Sequence, residues 1–157
     1  MSEDERSAWF RAMVTGDGPP PPAARTLGFE LTSVSPETGA AEGTFVGAPE
    51  FRNMLGGIQG GFLAAMLDVI VSCALLGSLP PGHFAPTLEL KVSYLRPAPL
   101  GRLTGRGRVV HRGNKIAFLA GELFAPDGTL VTTGSATARI VQARSIVGAD
   151  GTEGPDE

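Results

Sequence analysis

Alternation of apolar and polar residues divides most of the chain into strands. Residues 27–35 and 40–47 alternate loosely around a Pro-Glu-Thr-Gly turn, which predicts a β-hairpin. Residues 87–94 alternate more strictly, and this pattern puts Thr87 and Glu89 together on the polar face of a half-buried strand. Arg-Gly-Asn and Pro-Asp-Gly turns separate the segments that follow. Three more strands are expected there, at residues 102–110, 115–124 and 129–141.

One segment has a different pattern and predicts the central helix. Residues 60–77 are apolar on every face, and Gly77 followed by Pro80-Pro81-Gly82 ends the helical segment. A helix of this kind must be surrounded by other parts of the protein. We therefore expect an α+β fold with the element order α-β-β-α-β-β-β-β, in which a curved antiparallel sheet wraps around the helix.

The ends of the chain differ in composition from the middle. Residues 1–26 are expected to form a short amphipathic helix at 3–14 followed by an extended proline-rich connector at 16–22. The domain itself is expected at 27–142. The last segment, 143–157, ends in acidic sequence without apolar anchors, and we expect it to be disordered.

Composition narrows the possible functions. The 157 residues are 42% apolar and only 18% charged, with a formal net charge of -3, which does not favour a nucleic-acid-binding protein. Cys73 is the single cysteine, so a reducing compartment is expected. Acidic residues stand where a secretory signal needs basic ones. Asp68 argues against a membrane span at residues 62–79, so we expect a cytoplasmic protein.

Asp68 is the most informative candidate for chemistry. It is the only charged side chain between Arg52 and His83, and a carboxylate on an apolar helix is costly unless it has a partner or a purpose. A structural acid that bonds a neighbouring element is the alternative to a catalytic one. Gln59-Gly60-Gly61 precedes it at the start of the same helix, where free N–H groups and the helix dipole attract a developing oxyanion. A glycine pair of this kind can also be only a tight turn.

The spacing of these two features predicts a dimer. Asp68 follows Gly60 by eight residues, or about 12 Å along a helix axis, too far for both to contact one carbonyl group. If a second copy lies antiparallel across a two-fold axis, its Asp68 comes beside the first copy's Gly60 amide. Joining two sheets would also cover exposed strand edges. Oxyanion donors opposite a carboxylate suit hydrolysis of an acyl group.

Together these residues resemble the hotdog-fold acyl-CoA thioesterases of the phenylacetate-degradation (PaaI) type. The resemblance covers about residues 27–141 and rests on four features. They are Asn53, Gln59-Gly60-Gly61 with Asp68 nine positions after Gln59, Thr87 opening a strand, and Tyr94-Leu95-Arg96-Pro97 closing it. Gln59 stands where the family usually has histidine. Its amide can still donate a hydrogen bond, but it cannot carry a proton.

The resemblance implies an activity and a set of site residues. The activity is hydrolysis of an acyl-CoA thioester by a homodimer, or by a dimer of dimers, with no metal or redox cofactor. Gly60 would supply the oxyanion amide, and Asp68 would act as nucleophile or general base. Asn53 would position the water or the carboxylate, and Thr87 would bond one of them. Gln59 would be a further active-site residue, and Gly61 would contact the substrate.

Basic residues in the second half of the chain suggest where coenzyme A would bind. Residues 90–121 hold seven of the thirteen lysines and arginines and no acidic residue. Such a stretch can bind phosphates, or it can be the solvated face of a sheet. The turn formed by Arg112, Gly113, Asn114 and Lys115 is the better candidate, because it resembles the nucleotide-contacting turn of the family.

Two other functions remain open at this stage. Substitution of Gln59 for histidine would suit a non-catalytic hotdog module that binds acyl-CoA. A hotdog hydratase or dehydratase would need a catalytic histidine paired with an acid, and neither His83 nor His111 is suitably placed. Zinc ligation at these histidines is not expected, since no carboxylate or cysteine lies at ligand spacing.

Overall fold

The structure is a computed structural model that describes residues 20–142. The expected helix at 3–14 and the expected acidic tail therefore lie outside the described residues. A five-residue helix, α1 (Pro22–Thr26), opens the described part, with proline in its first turn where the missing N–H costs nothing. We expected the proline-rich connector to be extended through Pro22. This expectation is wrong for Pro22, which is the first residue of α1.

The expected strands and the central helix are all present. A hairpin of β1 (Glu30–Ser35) and β2 (Ala40–Gly47) leads through a 3-10 turn (Pro49–Phe51) into the long helix α2 (Gly60–Ser78). The remaining elements are β3 (His83–Phe84), β4 (Thr87–Tyr94), β5 (Gly101–Arg112), β6 (Ile116–Phe124), β7 (Leu130–Arg139) and β8 (Val141–Gln142). The predicted strand at 129–141 is in fact β7 followed by the separate strand β8.

Six strands form one antiparallel sheet in the order β1-β2-β5-β6-β7-β4, and β3 pairs with β8 alone. β4 follows α2 in the chain but takes the edge of the sheet beside β7. This arrangement confirms the predicted α+β class and the predicted sheet around a helix.

Glycines allow α2 to lie directly on the sheet. Three paired glycines form a row across the adjacent strands β5, β6 and β7, and this row has no side chains. They are Gly107, Gly121 and Gly134. A Cβ added at Gly121 would lie 2.7 Å from Cγ1 of Val71, and one at Gly134 would lie 3.0 Å from Cδ1 of Leu67. Any larger residue would therefore push the helix off the sheet.

The sheet buries one side of α2 and leaves a stripe of the other side uncovered. Leu67, Ile70, Val71 and Ala74 are fully buried against the strands. Gly61 and Ala65 are exposed, and Asp68 and Ser72 are half-buried, at a helical spacing that places all four on one face. We call these four residues the uncovered stripe. α2 has the length and composition to cross a membrane, but here its buried side packs against the sheet.

The Pro126-Asp127-Gly128 turn confirms the predicted β6–β7 hairpin. Oδ1 of Asp127 accepts a hydrogen bond from the Thr129 amide at 2.9 Å, and this bond lowers the pKa of the carboxyl group. Gly128 has φ +83°, a backbone conformation that glycine adopts without strain.

Candidate active site

Asp68 and Thr87 form the centre of the candidate site. Oγ1 of Thr87 donates a hydrogen bond to Oδ1 of Asp68 at 2.8 Å, which joins the middle of α2 to the start of β4. Oδ2 of Asp68 has no hydrogen-bond partner within residues 20–142. The two side chains line an open cavity of about 350 Å³ along the seam between α2 and β4. One carboxylate oxygen is therefore fixed and the other is available.

A β-bulge turns Thr87 towards α2. Glu89 pairs with Thr137 on β7, but Thr87 pairs with Ala138, so Leu88 is an extra residue with no counterpart. Because Ala138 faces the buried side of the sheet, its partner Thr87 faces the same way. The expectation that Thr87 shares the polar face with Glu89 is therefore wrong. Without the bulge, the Thr87 hydroxyl would point away from Asp68.

The start of α2 presents unpaired amides at a distance from Asp68. Gly60 and Gly61 are its first two residues, and within the described chain neither N–H has an acceptor, as the geometry of a helix start requires. Gln59 is the N-cap residue, and its exposed side chain makes no capping bond. Eight residues at 1.5 Å each separate Gly60 from Asp68, about 12 Å along the axis. Within one chain, these two candidate groups are not brought together.

Asn53 organises the loop that leads to Gly60. Its Oδ1 accepts hydrogen bonds from the amides of Leu55 at 2.9 Å and Gly57 at 3.2 Å, and its Nδ2 donates to the Ile58 carbonyl at 3.3 Å. The Asn53 side chain therefore contacts its own loop rather than Asp68. At the tip of this loop, Met54 is 98% exposed and Leu55 is 90% exposed.

Tyr94 is a site-adjacent residue to which the sequence assigned no role. Its hydroxyl donates to the Gly60 carbonyl at 2.8 Å. The sequence signal was its position in the Tyr-Leu-Arg-Pro segment, but the contact joins residues 34 positions apart and cannot be read from local pattern.

The basic stretch divides into paired side chains and exposed ones. On the outer face of the sheet, Arg106 contacts Glu42 at 2.7 Å and Arg102 contacts Glu30 at 3.5 Å. Both arginines therefore lie on the solvated face of the sheet, which was the alternative to phosphate binding. Arg112 bonds to the carbonyl and hydroxyl oxygens of Ser78, the last residue of α2.

The rest of the predicted coenzyme-contacting turn is open to solvent. The Gly113 amide donates to the Ile116 carbonyl at 2.9 Å and closes the turn. The side chains of Asn114 and Lys115 are exposed, and within residues 20–142 neither forms a side-chain hydrogen bond or an ion pair. These two residues are the parts of the turn that are free to meet a ligand.

Cys73 and the histidines are poor candidates for catalysis. Burial raises the pKa of the Cys73 thiol from 9.0 to about 12, so the nucleophilic thiolate is disfavoured. No group of three metal-ligating side chains occurs between residues 20 and 142. His83 is on the short strand β3 and His111 is exposed near the end of β5, beside Phe118.

Comparison with known proteins agrees with the fold. The thioesterase superfamily profile matches residues 55–132, which include Gly60, Asp68 and Thr87. The structure of a phenylacetic acid degradation-related protein from Ralstonia eutropha is 40% identical, covers 83% of this chain and 98% of its own, and superposes with a TM-score of 0.78. The PaaI protein of Escherichia coli is 21% identical over 87% of this chain and 94% of its own, with a TM-score of 0.73, and shares the fold.

A curated relative supports the same family. The medium/long-chain acyl-CoA thioesterase YigI of Salmonella typhimurium is 29% identical over 93 residues, which is 51% of this chain. The matched region spans 60% of the length of that relative. The profile match, the extended similarity to the Ralstonia protein and the sheet wrapped around α2 agree with one another. The chain belongs to the thioesterase superfamily and has the hotdog fold of its phenylacetate-degradation (PaaI) type.

Proposed function

We propose that the protein hydrolyses acyl-CoA thioesters at two equivalent sites, each shared between the subunits of a homodimer. The observation that carries this proposal is the hydrogen bond from Thr87 to Asp68, which leaves one carboxylate oxygen available at an open seam. Membership of the thioesterase superfamily supplies the reaction class. The substrates named for the YigI relative support a CoA thioester, without fixing the acyl group for this chain.

Two surfaces support the dimer. The uncovered stripe places Asp68 among small residues on the face of α2 that the sheet does not bury. β4 is an edge strand, and nearby Leu88 is 59% exposed and Tyr94 is 53% exposed. A second copy placed antiparallel across a two-fold axis would cover both surfaces and bring Asp68 beside the partner subunit's helix start. Further pairing into a dimer of dimers is compatible with this arrangement.

In the proposed reaction, the Gly60 amide polarises the thioester carbonyl while Asp68 attacks it or activates water. In the water-activating form, Oδ2 of Asp68 takes a proton as the water oxygen bonds to the carbonyl carbon. The carbon–sulfur bond then breaks, and the proton passes to the departing thiolate. The products are one free acid and one free CoA thiol. Thr87 keeps Oδ1 occupied, so that Oδ2 is the oxygen that reacts.

Asn53 and Gln59 contribute through the loop before α2. The bonds of Asn53 to its own loop support a role in holding Gly60 in place. Gln59 is exposed at the N-cap, where its amide is free to donate to the thioester oxygen but cannot act as an acid. Gly61 places a second unpaired amide at the same helix start, and in the proposed reaction its N–H donates to the same developing oxyanion.

The coenzyme is proposed to reach from this seam towards the β5–β6 turn. Arg112 is anchored at Ser78, which lies ten residues, or about 15 Å, beyond Asp68 along α2. Asn114 and Lys115 then stand free to meet phosphate oxygens, and Gly113 shapes the turn. We place the reaction in the cytoplasm, as the lone buried thiol Cys73 suits a reducing compartment.

Asp68→Asn tests this proposal with almost no change in side-chain shape. Thiol release from a panel of aliphatic and aromatic CoA thioesters should fall by about 100-fold or more, with the quaternary structure unchanged. Glu122→Gln, which neutralises an exposed carboxylate on β6, is the matched control and should leave the rate unchanged. Wild-type turnover in the Asp68 variant would overturn the proposal.

Gln59 makes a non-catalytic acyl-CoA-binding module the second candidate, since imidazole chemistry is absent from its position. Calorimetry on the wild-type protein separates the two candidates. Binding of CoA thioesters without thiol release from any member of the panel would favour the binding module over the hydrolase.

A further inference from the structure

Tyr94, the only tyrosine in the chain, packs directly on the first residue of α2. Its hydroxyl donates to the Gly60 carbonyl at 2.8 Å. A Cβ added at Gly60 would lie 2.9 Å from Cζ of Tyr94 and 3.0 Å from its hydroxyl oxygen. The aromatic ring therefore occupies the space that any side chain at position 60 would need.

The segment after Tyr94 is fixed to the neighbouring strand. The amides of Leu95 and Arg96 donate to the Val131 carbonyl at 2.9 and 3.2 Å, and the Arg96 guanidinium donates to the Leu130 carbonyl at 3.0 Å. These bonds hold the end of β4 against β7. Tyr94 therefore stands at an anchored end of its strand.

The same segment also holds the loop that enters α2. The Ile58 amide donates to the Ala98 carbonyl at 3.0 Å, and the Gln59 amide donates to the Phe51 carbonyl at 2.8 Å. Together with the bond from Tyr94 to Gly60, these contacts give each of the three consecutive residues 58–60 a hydrogen bond to another part of the fold. Residues 94–98 provide two of the three bonding partners.

We propose that Tyr94 is a positioning residue that orients and polarises the peptide group between Gly60 and Gly61, an inference that rests on the proposed function. The carbonyl of Gly60 and the N–H of Gly61 belong to the same peptide group. A carbonyl oxygen has two lone pairs, so the hydroxyl bond adds to the helical one. Because hydrogen bonds polarise one another, a donor on this carbonyl makes the Gly61 N–H a stronger donor to an oxyanion.

The test is Tyr94→Phe, which removes the hydroxyl and keeps the ring. We expect kcat for thiol release to fall about 3- to 10-fold with little change in KM. This pattern is expected when the lost hydrogen bond stabilised mainly the transition state. In ¹⁵N-glycine-labelled protein, the Gly61 amide proton should shift towards the frequency of a weaker donor. Ser93→Ala removes a hydroxyl from the adjacent exposed residue of β4 and should change neither quantity.

The two readouts separate the failure of this inference from failure of the proposed function. An unshifted Gly61 resonance, or a kcat within about twofold of wild type while Asp68→Asn is inactive, would overturn the role of Tyr94. Wild-type turnover in Asp68→Asn would overturn the proposed function instead. In that case the Gly61 resonance would still report whether Tyr94 polarises the peptide group.

Discussion

Thr87 reaches Asp68 at 2.8 Å only because β4 contains one residue more than β7 between their paired positions. The bulge at Leu88 reverses the alternation and turns a polar side chain to the helix-facing side of the sheet. The resulting bond fixes Oδ1 of the carboxylate and leaves Oδ2 without a hydrogen-bond partner in residues 20–142. A local irregularity of the strand therefore selects which oxygen of Asp68 is available for the proposed chemistry.

Replacing Thr87 tests this relationship. Thr87→Val keeps the shape of the side chain but removes the donor, and we expect kcat to fall about 10-fold because the carboxylate loses its fixed orientation. Thr87→Ser keeps a hydroxyl and should retain most of the activity. Steady-state thiol-release kinetics on both variants measure the difference. Equal rates for the valine and serine variants would show that the bond does not matter.

The packing of Tyr94 predicts opposite effects at two neighbouring glycines. Gly60→Ala places a methyl group against the ring and should lower the free energy of unfolding by about 1 to 3 kcal/mol. Gly61→Ala meets no atom of residues 20–142 within 4 Å and should raise it by roughly 0.5 kcal/mol, because alanine loses less backbone entropy. Denaturant unfolding of both variants gives the comparison. A Gly60→Ala protein as stable as the wild type would contradict this account.

Substitutions at two residues of the β5–β6 turn should have different effects, one on stability and the other on coenzyme binding. Arg112→Ala removes the side chain that bonds the end of α2 and should lower the free energy of unfolding by about 1 kcal/mol. Lys115→Ala removes a free cation and should raise KM for CoA thioesters, more at low salt than at high salt. Thermal unfolding and salt-dependent kinetics measure the two effects. A KM unchanged by Lys115→Ala would remove this turn from the proposed coenzyme site.

Burial of Cys73 predicts a pH-dependent loss of stability. Its pKa is 9.0 in the unfolded reference and about 12 in the folded protein. Between these values the unfolded chain loses its thiol proton first, so the free energy of unfolding falls with rising pH by up to about 1.4 kcal/mol per pH unit. Cys73→Ala should lack this component of the slope between pH 9 and 11 in denaturant unfolding. Identical slopes for the two proteins would contradict the burial of the thiol.

Sequence pattern predicted the long elements because each repeats its period over many residues. The apolar segment at 60–77 and the strands of the six-stranded sheet are of this kind. α1, β3 and β8 were missed because two to five residues are too few to establish a period.

The site was predictable in part. The unusual charge at Asp68 and the glycines before it mark the two halves of the proposed site from the sequence alone. The face on which Thr87 lies depends on the register with β7, and the contact of Tyr94 with Gly60 depends on tertiary packing. Strand alternation contains information about neither of these. The face of Thr87 was therefore predicted wrongly, and the contact of Tyr94 with Gly60 was not predicted.

The shared site can be tested by mixing two inactive variants. Asp68→Asn and Gly60→Pro damage different halves of the proposed site, and proline removes the Gly60 N–H at a helix position that tolerates it. Tyr94 must move slightly to accept the proline ring, so each variant is first checked for folding and for dimer formation. A second mixture, Asp68→Asn with Thr87→Val, is the matched control, because those two residues lie in the same subunit's half.

Thiol release after unfolding and refolding each mixture together is the most direct measurement of the central claim. If the site is shared, the first mixture should recover about a quarter of wild-type activity, since half of the dimers contain one intact centre out of two. The control mixture should recover no activity beyond the average of its two parent variants, because none of its mixed dimers contains an intact centre. An equal absence of recovery in both mixtures, with mixed dimers shown to be present, would contradict a site built from two subunits.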